Sequence, residues 1–292
     1  MTAVRSGSWS FLLYLVLPHP VKMRLSPDLV DRLDRVNLAA NVAMYSGSGA
    51  SAYDQTHRYD EAEHHEYPFK PLVEALGDGK GYGRALDLGA GAGYFTCIIA
   101  RRAESVLAVE PVPDMQRALR ARCLAAGLGN VEVVEASGTD LSRHVPEASI
   151  DTAFVLQSLH HLHRRPEVLE ALGRVVRPGG RLLMVEPHHN LRRVGRLVQK
   201  WIKHYRARAF WSEEMNWATH DFLTRRELVA LCMHGGFESP RISGYWVPGL
   251  GRLVPNPAAR FRLEQRLGRI PLLRHFTGIL AVEARRRGAP AR

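Results

Sequence analysis

Two adjacent histidines, His160 and His161, and a carboxylate, Glu186, are the residues of this 292-residue chain best suited to move a proton. Each follows a short apolar run of the kind that reads as a buried strand, so all three fall at strand ends. Imidazole, with an unperturbed pKa of about 6.5, can take a proton near neutrality, and a carboxylate can fix its tautomer. Upstream, the stretch Ala85–Phe95, ALDLGAGAGYF, ends an apolar run in Asp87 and passes through Gly89, Ala90, Gly91 and Gly93 into a helical pattern. Such a turn lets backbone approach a ligand and aims free helix-start amides at it. Its GxGxG spacing and opening acid suit a zwitterionic amino acid better than the diphosphate met by GxGxxG. Glu110, closing the next apolar run in VLAVEP, is placed to accept both hydroxyls of a ribose.

Positioning these groups requires strands joined by crossover helices. Apolar runs predict strands over 84–88, 105–110, 131–135, 150–156 and 181–186, with helices over 93–103, 113–126 and 165–176 between them. Pro113 suits a first helical turn, Gly127 and Gly129 close that helix, and Gly179-Gly180 turns the chain toward the fifth strand. A helix over 224–234 opens on Thr224 with Glu227 three residues on, a capping-box spacing. Two further strands, near 241–247 and 278–284, flank an arginine-rich insertion at about 249–275 that reads as a basic amphipathic helix, packed on the domain or turned to a membrane or partner.

The stretch from Arg84 to Pro187 resembles the class I methyltransferases, which use S-adenosylmethionine (SAM), and most closely their ubiquinone/menaquinone-type and natural-product branch. ALDLGAGAGYF is similar to their first motif, VLAVEP to the ribose motif, SIDTAFVLQSLHHL to the fourth-strand motif and VVRPGGRLLMVEP to the fifth, in order over about 100 residues. The resemblance implies an α/β Rossmann-like fold: a seven-stranded, mostly parallel sheet with an antiparallel last strand and helices on both faces. It implies SAM as cofactor, with Asp87, Gly89, Ala90, Gly91 and Gly93 at the methionine part, Glu110 and Pro111 at the ribose, and Met115, Ser137, Gly138 and Gln157 completing the site. Where the family has Gly-Asp-Ala after the third strand this chain reads Ala136-Ser137-Gly138, so the acid that would hold the adenine amino group is missing. By the same resemblance His160 or His161 serves as base, with Glu186 as the acid after the fifth strand. The activity implied is methyl transfer to a small molecule, most readily to a hydroxyl of a natural product, sugar or lipid-like acceptor. C- or N-methylation, and a protein that binds SAM without catalysis, are the alternatives.

The remaining sequence sets boundaries. An N-terminal extension and cap is expected over 1–66, the SAM-binding core over 67–187, a lid over 188–223 and completion of the sheet over 224–292. Tyr53, Tyr59, Trp201, Trp211 and Trp217, with Tyr67, Phe69 and Phe210, are expected to wall the acceptor pocket. No metal is expected: His163, His188 and His189 gather near Glu186 in the sequence without metal-binding spacing. Cys97, Cys123 and Cys232 show no paired spacing, which argues against a disulfide framework and fits a reducing cytoplasm. Arg5 and the apolar stretch 11–17 have the outline of an export signal. The stretch is short, runs into Pro18-His19-Pro20 and has no small-x-small site; a start at Met23 is the competing expectation. The net charge of +11 is concentrated late, with 20 Lys+Arg against 7 Asp+Glu in residues 188–292. An acidic acceptor or peripheral contact with an anionic membrane would suit that field, whereas nucleic acid is disfavoured by the lack of aromatic-basic interleaving. The oligomeric state has no signature here.

Overall fold

The computed structural model describes residues 16–25, 39, 41–49, 69–77, 79–204 and 221–288. Seven strands, β1 (Arg84–Leu88), β2 (Ser105–Val109), β3 (Val131–Val134), β4 (Ile150–Leu156), β5 (Val176–Pro187), β6 (Phe237–Tyr245) and β7 (Ile279–Arg286), form one sheet in the order β3-β2-β1-β4-β5-β7-β6. The first five are parallel, and β7 runs antiparallel between β5 and β6. This is the mostly parallel sheet with an antiparallel last strand that the motifs imply.

Burial on both faces explains why the strands read as continuous apolar runs. Along β4, Ala153 and Val155 enter one core with the helices Arg165–Val175 and Arg225–His234, while Phe154 and Leu156 enter the other with Phe69–Ala75 and Tyr94–Ala100. Period-two alternation thus feeds two cores from one strand. The capping box at Thr224 forms as its spacing predicts: the Thr224 hydroxyl accepts from the Glu227 amide at 3.1 Å.

Two expectations are corrected. β5 begins at Val176, before the Gly179-Gly180 pair, because Val176 already pairs with Ile150 and the intervening residues are accommodated by a register shift. The insertion before β7 is broken into the helices Leu250–Leu253, Pro257–Leu267 and Pro271–Arg274, each of the last two started by a proline at its head. Phe69, expected near the acceptor, packs in the core against Phe95, with ring centroids 6.1 Å apart. The structure also brings together Cys97 and Cys123, 26 positions apart in sequence, as buried thiols with sulfurs 3.9 Å apart.

Residues 16–22, which precede Met23, are part of the fold. His19 and Lys22, on the helix His19–Leu25, are buried and contact Asp221: His19 Nδ1 lies 3.0 Å from Oδ2 and Lys22 Nζ 3.0 Å from Oδ1. Burial alone would raise the Asp221 carboxyl, but Lys22, His19 and Arg165 outweigh it and hold the group well below the usual carboxylate range. Arg165, fully buried, donates to Glu227 and to the Asp221 carbonyl, so two cations meet two carboxylates without help from His19. Removing one member of a buried pair strands the other's charge. Asp221→Ala is expected to cost about 3–5 kcal/mol in urea unfolding at neutral pH, and a chain begun at Met23 to lose a comparable amount. Midpoints equal to that of the full chain would rule out this clamp. With its pKa depressed in the fold, Asp221 stabilises at neutral pH, and that contribution fades as pH falls below about 4.

Candidate active site

The strand order reverses between β1 and β4, and at such a switch point the carboxyl ends of the strands leave a crevice. Here the crevice is a cavity of about 390 Å³. Its wall at β1 is the glycine turn, where Gly89, Gly91 and Gly93 all take left-handed φ values, 75°, 55° and 84°. A Cβ on Gly89 would lie 2.5 Å from the Ser158 Cβ, so the β1 turn and the β4 loop touch only because that residue is glycine. The Ser158 hydroxyl crosses the same gap to donate to the Leu88 carbonyl at 2.7 Å.

From β2 comes Glu110, whose carboxylate accepts from the Gly91 amide at 2.8 Å and the Val112 amide at 3.0 Å while lining the cavity. Burial pushes its carboxyl up to about 7 despite those two donors. Asp87 lies behind the turn, not in the cavity lining, and accepts from the Thr96 hydroxyl at 2.7 Å; burial raises it to about 6. Gly93 is likewise behind the turn, packed on Leu119, and Ala90 is buried away from the lining. The other expected cofactor contacts, Gly89, Gly91, Pro111, Met115, Ser137, Gly138 and Gln157, do line the cavity.

The β4 loop carries the histidines on a single 3-10 turn, Leu159–His161. Gln157 enters it in a left-handed conformation, φ 56°, unusual for a residue with a side chain. Glu186, at the end of β5 and fully buried, caps this turn from the next strand. Its carboxylate accepts from the amides of Ser158 (3.0 Å), Leu159 (2.8 Å) and His160 (3.3 Å), and its Oε2 lies 2.7 Å from His160 Nδ1. Burial pushes Glu186 up to about 7, opposed by those backbone donors and by Arg165. The two histidines are therefore unequal. His160 is buried between Glu186 and Phe222, whose ring it meets edge-on at 5.6 Å, whereas His161 lines the cavity with Tyr45 edge-on at 6.1 Å.

Other expectations separate in space. His188 Nδ1 lies 3.1 Å from the Thr277 carbonyl and His189 Nε2 2.9 Å from that of Val16, both away from Glu186. Among the described residues His19, His163 and Asp221 converge like metal ligands, but Lys22 already supplies the counter-charge at Asp221. Trp201 is half-buried on the helix Leu191–His204 and does not line the cavity, while Tyr53, Tyr59, Tyr67, Phe210, Trp211 and Trp217 lie outside the described residues. Among the lining residues that the motifs did not announce are Asn41, Tyr45, Asp140 and Arg164. Asp140 is the most informative: the Ser137 hydroxyl donates to its carboxylate at 2.7 Å, putting an acid on the wall three residues beyond the position where the family motif has one. Nothing in the sequence marks Asn41 or Tyr45, which reach the cavity from more than 40 positions before the glycine turn.

Comparison with known proteins shows what the surrounding domain is similar to. A family described as "Methyltransferase domain" matches residues 86–184, the span from β1 through most of β5. Residues 86–184 thus carry the features of a methyltransferase domain. Within and around it the chain is 36% identical over 102 residues to an uncharacterized methyltransferase of Mycobacterium tuberculosis, spanning 35% of this chain and 39% of that one. The chain thus matches about two fifths of the length of that relative. It is 25% identical over 171 residues to a ubiquinone biosynthesis O-methyltransferase of Xanthomonas euvesicatoria, spanning 55% of this chain and 65% of that one. Among solved structures, phosphoethanolamine N-methyltransferase 2 of Haemonchus contortus in complex with SAM shares the fold, with a TM-score of 0.57 at 14% identity over 84% of this chain and 58% of that one.

If Glu186 holds the methyltransferase domain's β4 turn, Glu186→Ala should leave three buried amides without an acceptor and lower Tm by about 10 °C, from roughly 1–3 kcal/mol per stranded group. Glu186→Gln, which keeps an acceptor oxygen, should lose less than half of that; equal losses from the two would show that capping contributes nothing.

Proposed function

We propose that the chain transfers a methyl group from SAM to a hydroxyl of a small-molecule acceptor, with His161 as the base. The observation that carries this reading is that His161, and not His160, shares one cavity with Glu110 and the glycine turn. The cavity fits a nucleoside: a carboxylate backed by two amides stands among Leu88, Val109, Val112, Met115, Ala136, Leu162 and Val168. In this reading Glu110 accepts the ribose hydroxyls, the Gly89–Gly91 turn faces the amino-acid part, and Asp140 takes the adenine amino group in place of the missing motif acid. Bound SAM supplies an electrophilic methyl on a sulfonium. The chain's task is then to hold the acceptor in line with that methyl and remove its proton, and positioning contributes most of the rate. Glu186 does not touch the acceptor; it fixes the turn and the His160 ring behind His161. The similarity to a ubiquinone biosynthesis O-methyltransferase supports oxygen as the acceptor atom.

The sign of the pH dependence follows from Glu110. Hydroxyl donors favour its ionised form, and with its carboxyl at about 7 SAM should bind more tightly at pH 8 than at pH 6. Calorimetry should show that rise in the native chain and a flat, roughly tenfold weaker response in Glu110→Gln. No binding of SAM or S-adenosylhomocysteine at either pH would remove the proposal. For the base, S-adenosylhomocysteine release is followed over a panel of phenol, catechol and sugar acceptors. His161→Ala should lose roughly 100-fold or more in kcat with SAM affinity unchanged, and full turnover in that variant would take the proton transfer away from His161.

A further inference from the structure

Two segments project from the carboxyl edge of the sheet, residues 188–204 after β5 and residues 246–278 between β6 and β7. Both start or end against one point of that edge, since Pro187 and Tyr245 each pair with Ile279. The first holds five basic and no acidic residues, the second six arginines and one glutamate, so together they carry +10 of the chain's +11. That single glutamate, Glu264, is buried and accepts from the amides of Trp246 and Val247, and Arg260 is buried as well, so neither contributes to the outer field and the surface sum of +10 is unchanged.

The same segments expose large apolar side chains. Leu191 and Ile202 on the helix Leu191–His204 are 80% and 62% exposed, and Leu253, Leu272, Ile270 and Phe276 in the second segment are 81%, 70%, 44% and 44% exposed. At 3.6 residues per turn, positions 191 and 202 lie within about 20° of each other on the helix surface. Arg192, Arg196 and Lys203 follow on the adjoining strip, roughly 100–140° round from Leu191, while Leu197, on the opposite flank of the apolar arc, is buried in the protein. The apolar arc is therefore only half used by the fold, and its unused edge runs beside a row of cations.

We propose that this edge docks on an anionic lipid bilayer, the basic residues meeting headgroup phosphates and the exposed Leu, Ile and Phe side chains entering the interface. A nucleic acid would use the cations but gives exposed leucines nothing to enter. An acidic soluble partner would be met by charge alone. The inference does not depend on methyl transfer, because vesicle binding is read without SAM or acceptor.

The test is co-sedimentation of the full chain with phosphatidylcholine vesicles, with and without phosphatidylglycerol, at about 0.1 M and 0.5 M salt, where screening lengths differ about twofold. Binding should be at least tenfold tighter to the anionic vesicles and weaken at the higher salt. The variants Leu191→Asp with Ile202→Asp, and Leu272→Asp with Phe276→Asp, should each weaken vesicle binding about tenfold while melting and SAM affinity stay at native values. Absence of vesicle binding, equal binding to neutral vesicles, full retention by both double variants, or binding of duplex or single-stranded nucleic acid in preference to vesicles would each overturn the proposal.

Discussion

A carboxylate fully buried at the end of β5 and aimed at the amides of the neighbouring β4 loop organises the rest of the site. Glu186 is to the Leu159–His161 turn what an N-cap side chain is to a helix, except that it arrives from another strand. The distinction matters physically, because a local cap fixes only its own helix, whereas this one fixes the turn relative to the sheet. The His160 ring, Ser158 and the contact with Gly89 all inherit their places from it. From the far side, the Asp221 amide donates to the His160 carbonyl at 2.8 Å and Arg165 Nε to the Leu162 carbonyl at 2.9 Å, so the turn is held at both ends.

Such a site is expensive to keep. Asp87, Glu110 and Glu186 are all buried along the carboxyl edges of β1, β2 and β5, and burial raises each of them, to about 6, 7 and 7. A carboxyl raised in the fold favours the folded state while protonated, and that advantage is lost as pH climbs from the unfolded value of about 4 to the folded one. At pH 8 the ionisation of all three is therefore a cost to the fold, which the amide and hydroxyl donors around each carboxylate offset in part. The Lys22–Asp221–Arg165–Glu227 network works in the opposite direction, with opposed charges meeting at hydrogen-bond distance beneath the same loop. The loop that presents His161 is thus braced by one buried cluster whose charges balance and another whose carboxyls resist ionising.

Charge is partitioned as sharply as burial. The Rossmann-like core is close to neutral, and the excess basic residues sit in the segments that leave the carboxyl edge, where the sheet topology also puts the cavity. A parallel sheet makes that coincidence natural: every loop after a parallel strand, and the connection between two antiparallel strands added to the end, opens on one edge. The cavity and the basic segments consequently share that edge.

Local rules determined the elements. Continuous Val, Leu and Ile runs marked the strands because both faces of the sheet are covered, the Thr224 and Glu227 spacing formed its capping box, and the glycines at 89, 91 and 93 all adopt the left-handed turn that their spacing announces. The order of motifs was enough to name the sheet and the similarity to a methyltransferase domain, and Glu110 does line the cavity. The sequence could not say which of two adjacent histidines faces the cavity, because a one-residue step on a 3-10 turn rotates the side chain by about 120° and only Glu186 decides where the turn points. Nor could it show that Asp140 stands on the wall, that Asn41 and Tyr45 reach it, or that His19 and Lys22 close on Asp221 some 200 positions away. Strand and turn signals lie within a few residues of the chain, whereas charge pairing and cavity lining depend on which distant segments the packed sheet brings side by side.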